Sequence, residues 1–467
     1  MFLIARRQFI DGLLDAKFIF LSLVILIAFV SNAFIYTDSY RQELEDYRAG
    51  EAESGRLLNS VCDNLQRMAV FQQMVARPPS SLAFIADGGD AQLPNSVSVN
   101  AFTIGQFEYQ HRSNERVPVL PALDWIFIIG VLMSLLTILV SYSAVCGEKK
   151  EGTLRLVLSN SVSKFTLFFG KYLGLLSALF VSLFVGMALN LFIIVFFEGP
   201  ALTGEVLWQI GWVVLFALLY ISLFLFVSVA ISAYTRSPSV ALVLLLVIWI
   251  IAIVAVPGSG RLVAELSVNV PSQANVRDEI ARKQSEIEEN APVTANYWNN
   301  DPFAPNVPDR AKLWTDRIEA AQATIDDSIM AQIRQAMTAK NLSSISPFGL
   351  LSATYMKLSG TGIFGVESFF ENSRRFRQIL KQFVVNRDKN DPSTPHLVYG
   401  SESWVDPGVF STKPVPYSSV PRPAGLWTTA GLSLDQTIPF EQLTILLVLN
   451  LFMAFVALVG MLRIDPR

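Results

Sequence analysis

The sequence predicts an α-helical polytopic membrane protein with six transmembrane helices and both termini cytoplasmic. Two extracytoplasmic regions are inserted between the spans, the first mixed α/β and the second mainly helical. Three observations lead there. Hydrophobic residues make up 52% of the 467 residues and charged residues only 16%, and the apolar excess lies in long uninterrupted runs. Six runs have the roughly 20 apolar residues that a bilayer crossing needs, at 18–36, 122–146, 172–197, 207–231, 239–256 and 439–462, and none holds Lys or Arg. Eleven of the 36 Lys and Arg fall in 1–17, 147–171, 232–238 and 463–467 beside five acidic residues, while 34 of the 39 acidic residues lie elsewhere. The positive-inside rule makes the first set cytoplasmic.

Residues 1–17 read as an amphipathic helix on the inner membrane surface. Phe2, Ala5, Phe9, Leu13 and Ala16 follow helical spacing, and Arg7, Asp11 and Asp15 form a polar stripe. Arg6-Arg7 resembles a twin-arginine signal and Ser31-Asn32-Ala33 a cleavage site. Asp11 and Asp15 intervene, however, and the apolar run continues through Phe34 and Ile35, so the first span is expected to be retained.

The first extracytoplasmic domain, 37–121, opens with a charged helical stretch that runs to QQMV. It then changes to loops and short strands, among them VSVNAFTI, after Pro78-Pro79 and Gly88-Gly89. The second span leads to a cytoplasmic loop at 147–171, and three spans follow within 172–256. Pro257-Gly258-Ser259-Gly260-Arg261 reads as the turn that ends the fifth. The second extracytoplasmic domain, 257–438, carries one long amphipathic helix over 309–340, with Ile318, Ala321, Ile325, Ile329, Ile333 and Met337 recurring at three and four. Helices at 346–358 and 366–385 and a proline-punctuated arm over 391–426 complete it, before the last span and a tail at 463–467.

Catalytic and metal-binding constellations are not found. His111 and His396 are the only histidines and have no ligand-spaced neighbours, so they read as solvated loop residues, and no metal site or His-based triad is expected. No phosphate-binding G-x-x-x-x-G-K-[ST] occurs, and the acidic exterior argues against nucleic acid. Cys62 would be external and Cys146 at the inner face, too far apart to bond. Within the spans, Asn190, Tyr220 and Asn450 either line a path or hydrogen-bond between helices. With no ionisable group buried there, a proton- or ion-coupled carrier lacks its usual coupling group, and energy is expected to arrive from elsewhere.

One stretch does not fit a plain connection. Residues 146–164, CGEKKEGTLRLVLSNSVSK, leave the second span, form a charged turn and a short amphipathic helix, and return at once to the membrane. Leu154, Val157, Leu158 and Val162 make an apolar ridge, and Glu151 and Arg155 are spaced for a helical ion pair. EKKEGTLRLVLSNSVSKFTLFFGKYLG resembles the signature of type-2 ATP-binding-cassette (ABC) permeases between their second and third spans, with Ser161 where a proline is usual.

In that family this segment holds a coupling helix. The resemblance therefore implies that Glu148, Lys149, Glu151, Gly152, Thr153, Leu154, Arg155 and Leu158 contact a cytoplasmic ATPase dimer. It also implies that Mg-ATP is bound by that partner, with no cofactor in this chain, and that a second permease half, identical or homologous, completes the unit. SPFGLLSATYMKLSGTGIFGVESFFENSRRFRQILKQFV and RPPSSLAFIADGGDAQLP are similar to segments of bacterial members with large extracytoplasmic domains, such as the copper-enzyme and nitrous-oxide-reductase maturation permeases. The implied function is ATP-driven export of an unknown substrate across a bacterial inner membrane. The alternative is a mechanotransmitter that moves nothing across the bilayer and acts on an envelope protein.

Overall fold

The computed structural model describes residues 1–108, 123–159, 163–197, 199–297, 301, 303–398, 411–423 and 439–463. Helix α1 (Phe2–Leu14) is separated from α2 (Ala16–Val61) by Asp15. The Asp15 backbone is extended, and its carboxylate accepts from the Lys17 amide at 3.0 Å, so it ends one helix and caps the next. The 46 residues of α2 rise about 69 Å, more than twice the ~30 Å of hydrocarbon. Its N-terminal half lies in the bundle of apolar helices, and its C-terminal half is the spine of a separate lobe.

In the lobe, α3 (Leu65–Val70) is capped by Asn64, whose side chain accepts from the Gln66 and Arg67 amides. The sequence carries helix through QQMV. Instead Gln73–Ala76 is strand β1, paired antiparallel with β2 (Ser96–Val99) so that Gln73 faces Val99 and Ala76 faces Ser96. Cross-strand pairing overrides the local helical preference here. Strand β3 (Ile104–Glu108) completes the antiparallel order β1-β2-β3, with a bulge at Val97 to Val99. VSVNAFTI is thus two strands joined by a turn, in which the Asn100 carboxamide oxygen accepts from the Phe102 and Thr103 amides.

The second span begins as α4 (Trp125–Phe127), loosens into a π-helical stretch Ile128–Met133, and resumes as α5 (Ser134–Ser141). After a turn at 142–145 come α6 (Cys146–Glu151) and α7 (Thr153–Ser159). The long spans α8 (Lys164–Phe196) and α9 (Gly204–Tyr234) follow. The fifth span starts as α10 (Pro238–Ile250) and passes through a second π-helical stretch, Ile251–Ala255.

It does not end at Pro257. Helix α11 (Val256–Ser267) carries it straight through PGSGR, a correction with two physical causes. Pro257 falls in the first turn of α11, after the π stretch, where its missing N–H is tolerated. Gly260 lets α11 press on the long lobe helix α13 (Val307–Ser343): a Cβ there would come within 2.7 Å of Ser343 Oγ and 2.8 Å of the Ala339 carbonyl oxygen.

Helix α12 (Gln273–Glu289) folds back on α13, tied by Arg317 to Glu288 at 2.5 Å and by the Lys283 ammonium donating to Thr324 Oγ1 at 3.0 Å. Helices α14 (Pro347–Ser359) and α15 (Gly362–Asp388) follow, and α16 (Phe440–Leu462) is the last span. Among the described residues, six helices are long and apolar enough to cross a membrane.

Besides a smaller cluster at the elbow end of the bundle around Leu154, Leu167, Phe168 and Val229, two apolar cores organise these elements. One fills the bundle and includes Leu350, Leu351, Tyr355 and Leu358 of α14, so this helix is wedged into the mouth of the bundle. The Tyr355 hydroxyl donates to the Val213 carbonyl at 2.8 Å, and Phe348 lies over Gly130, where a Cβ would meet its ring at 2.6 Å. The other core fills the lobe beneath α15 and is strapped by the proline-rich arm, where the Val415 amide donates to the Cys62 carbonyl and the Leu65 amide to that of Lys413. Residues 399–410 and 424–438, which include part of that arm, lie outside the described residues.

Candidate functional site

At the end of the bundle opposite the lobe, the elbow between the second and third spans is two helices and not one. Gly152 sits between them at φ 76°, the left-handed conformation that ends α6, and Thr153 restarts the chain as α7. This backbone requirement explains the Gly at that position better than any partner contact.

The elbow is fixed to the spans behind it by three sets of bonds. The Lys171 ammonium, buried inside α8, pairs with Glu148 at 2.6 Å and donates to the Ala144 carbonyl at 2.6 Å. The Ser232 hydroxyl near the end of α9 accepts the amides of Val145 and Cys146, each at 3.0 Å. Lys149 reaches the last carbonyls of α9, donating to Ala233 and, at 3.4 Å, to Thr235. A cation at that helix end is favoured by the partial negative charge of the unsatisfied carbonyls. Leu154 is 4% exposed and packs inward with Leu167, Phe168 and Val229.

The candidate contact residues therefore divide. Glu148, Lys149 and Leu154 face the bundle and hold the elbow in place. Glu151 and Thr153 are exposed. Leu156, which the spacing of the ridge passed over, is 68% exposed and is an apolar side chain that α7 presents outward. The side chains of Arg155 and Leu158 lie outside the described residues, as do residues 160–162, including Ser161 and Val162. Nothing local in the sequence marks Lys171 as the partner of Glu148.

Asn190, Tyr220 and Asn450 are all buried and bonded between helices. Asn190 donates to the Phe29 carbonyl and to Asn32 Oδ1, both at 2.7 Å, and accepts from Trp125 Nε1 at 3.3 Å. Tyr220 donates to the Gly130 carbonyl at 2.8 Å, an oxygen inside the π stretch that also accepts from Ser134 Oγ at 2.6 Å. Asn450 donates to the Leu219 carbonyl at 3.0 Å and accepts from Ser222 Oγ at 2.7 Å.

At the lobe end, RPPSSLAFIADGGD and LSGTG, far apart in sequence, form one joint. Ser80 Oγ donates to the Ser359 carbonyl and Thr361 Oγ1 to that of Ala86, both at 2.7 Å. Asp90 pairs with Arg77 at 3.0 Å and accepts from the Gly362 amide at 2.9 Å. Gly88 and Gly362 both have left-handed backbones, and a Cβ on Gly88 would meet the Gly362 nitrogen at 2.7 Å. The same loop holds the start of the second span: Phe84 and Ile85 carbonyls accept the Trp125 and Ile126 amides, and Asp124 accepts from the amides of Phe127 and Asp87.

His396 is an exposed loop histidine as the sequence suggests, but it is not without a partner. Its Nδ1 lies 3.3 Å from the buried carboxylate of Asp388 and 3.1 Å from Thr394 Oγ1, and its backbone has φ 58°. The fold brings together what eight residues of sequence spacing concealed. Asp388 also accepts from the Ser411 amide, and Asp391 pairs with Lys413 at 2.8 Å, so this cluster anchors the arm to the end of α15. His111 lies outside the described residues. Among the described residues, no group of His, Cys, Asp and Glu side chains is arranged to hold a metal ion.

The family model for ABC-2 family transporter proteins matches residues 2–359. A search of curated proteins returned no match.

Proposed function

Since the chain belongs to the ABC-2 family of transporter proteins, matched over most of its length, it is a multi-pass membrane permease, and we propose that a separate cytoplasmic ATPase drives it through the 146–159 elbow. One observation carries this reading: the elbow is tied to α8 and α9 by Lys171–Glu148, Ser232 and Lys149, yet leaves Glu151, Thr153 and Leu156 facing outward. A connection with no partner has no need of an exposed leucine on a helix braced from behind. A push on α7 passes through its buried Leu154 and the bracing bonds into three spans together.

In this reading the basic end of the bundle is cytoplasmic, the lobe stands outside in a bacterial cell envelope, and a second permease half completes the transporter. The substrate is exported, and Mg-ATP binds on the partner ATPase. The long lobe supports a likeness to permeases with large extracytoplasmic domains, such as those of the copper-enzyme maturation branch.

Co-purification tests it. The wild-type chain is expected to bring down an ATP-hydrolysing subunit, and a cysteine at Leu156 to cross-link to that subunit. An elbow that cross-links to nothing in an actively hydrolysing complex overturns the coupling role. Turnover stimulated by an envelope protein, and by no solute or lipid, replaces export with mechanotransmission.

A further inference from the structure

We infer that the groove between α9, α10 and α16 at the basic end of the bundle binds one anionic glycerophospholipid, an acyl chain in the groove and the phosphate at Arg236. Helices α10 and α16 both lie against α9 and leave between them a groove of about 420 Å³, lined by Ala230 and Ile231 of α9, Leu244 and Ile248 of α10, and Met453 and Val456 of α16. Its walls present only apolar surface, so water gains nothing by filling it. Leu244 and Ile248 lie six and ten residues into α10, and Met453 and Val456 nine and six residues before the end of α16. At ~1.5 Å per residue the groove reaches about 9–15 Å from the basic end, the depth of one leaflet of a ~30 Å hydrocarbon core. Leu244 and Ile248 are 45% and 41% exposed, so the groove opens sideways into the bilayer.

The mouth selects the head group. Thr235 closes the polar end, and the next residue, Arg236, is exposed. Arg236 makes no hydrogen bond or ion pair among the described residues, and its charge acts on the like-signed Lys149 ammonium. An unpaired guanidinium beside a second cation, at the head-group level of an apolar slot, matches a phosphate better than a zwitterion. A second copy of this chain fits less well. A two-fold contact across this groove would bring Arg236 and Lys149 of both copies to one interface, a like-charge juxtaposition with no acidic residue in 232–238 to offset it.

Native mass spectrometry of the full chain tests this inference, with titration of phosphatidylglycerol and phosphatidylcholine of identical acyl chains. It rests on the chain being a membrane protein and not on ATPase coupling, so neither result decides the other. The wild type is expected to retain one phosphatidylglycerol per chain with about tenfold preference, a difference of about 1.4 kcal/mol. Arg236→Ala is expected to erase the preference, and Leu244→Trp or Val456→Trp, one from each wall, to lose the retained lipid while melting as wild type does. Equal retention of both lipids, unchanged by Arg236→Ala, overturns the site as an ordinary lipid annulus. Conversion of a dimer to a monomer by both Trp variants, with lipid retention unaltered, overturns it in favour of a second copy.

Discussion

At the residue scale, the elbow turns on which charges are inward. Lys171 is 4% exposed in an apolar helix, and Glu148 with the Ala144 carbonyl makes that position tolerable. Lys171→Met is expected to destabilise the protein by about 1–3 kcal/mol by stranding Glu148. The double variant Lys171→Met, Glu148→Gln is expected to recover most of that loss in thermal melts. Leu154 and Leu156 separate packing from contact. Leu154→Asp buries a lone carboxylate and should lower the melting temperature. Leu156→Asp should leave melting unchanged yet reduce ATP turnover by the assembled complex at least about tenfold, the cost of losing ~1.4 kcal/mol of binding. Equal effects of the two on melting would remove the distinction.

Lys340 in the lobe gives a pH signature. Burial lowers its ammonium to about 8, against the pull of Asp124 in the other direction, while an unfolded lysine titrates near ~10.4. Between those values the unfolded chain holds the extra proton, so this group makes stability rise with pH from about 8 to about 10. The melting temperature of the wild type relative to Lys340→Met should climb across that window and stay flat below it. A flat difference throughout would remove the buried ammonium as its cause.

At the scale of elements, two glycines fix helix positions that propensity alone leaves open. In α14, a Cβ on Gly349 would come within 1.8 Å of the Ser343 carbonyl oxygen, where backbone and not a flexible side chain stands in the way. Gly349→Ala is therefore expected to cost about 1–3 kcal/mol and to loosen the wedge of α14 in the bundle. Limited proteolysis of the lobe should report that loosening. Among the described residues Gly152 meets no steric obstacle, and its φ of 76° is the constraint. A substitution there should cost only about 1 kcal/mol. The π stretches at Ile128–Met133 and Ile251–Ala255 serve the same packing: one frees the Gly130 carbonyl for Tyr220, and the other carries the fifth span past Pro257.

Across the whole molecule, the bundle has a braced end and a clasped end, joined by the second span. The elbow grips α8 and α9 at one end, and the 84–87 loop with the 359–362 turn grips Trp125 and Ile126 at the other. The proposed orientation of that axis, with the elbow end cytoplasmic, rests on charge and is open to direct test. Both native cysteines are buried, so single cysteines placed at Leu156 and Val293 report cleanly. Val293→Cys should react with a membrane-impermeant thiol reagent in intact cells, and Leu156→Cys only after permeabilisation. The reverse pattern would invert the topology.

By itself, the sequence determined the six crossings, the long helix of the lobe and the location of the elbow. Those features follow from local hydrophobic length, helical periodicity and charge, which need no knowledge of the rest of the chain. Tertiary structure alone decided which side chains of the elbow face outward, that QQMV is a strand, that the fifth span runs through PGSGR, and that His396 sits beside Asp388. It also decided that the two lobe motifs are one joint. Each of these depends on a partner brought from elsewhere: Lys171 for Glu148, β2 for β1, Ser343 for Gly260, Gly362 for Asp90. A local pattern specifies a helix or a strand, but the direction in which a side chain is used is set by what the fold puts opposite it.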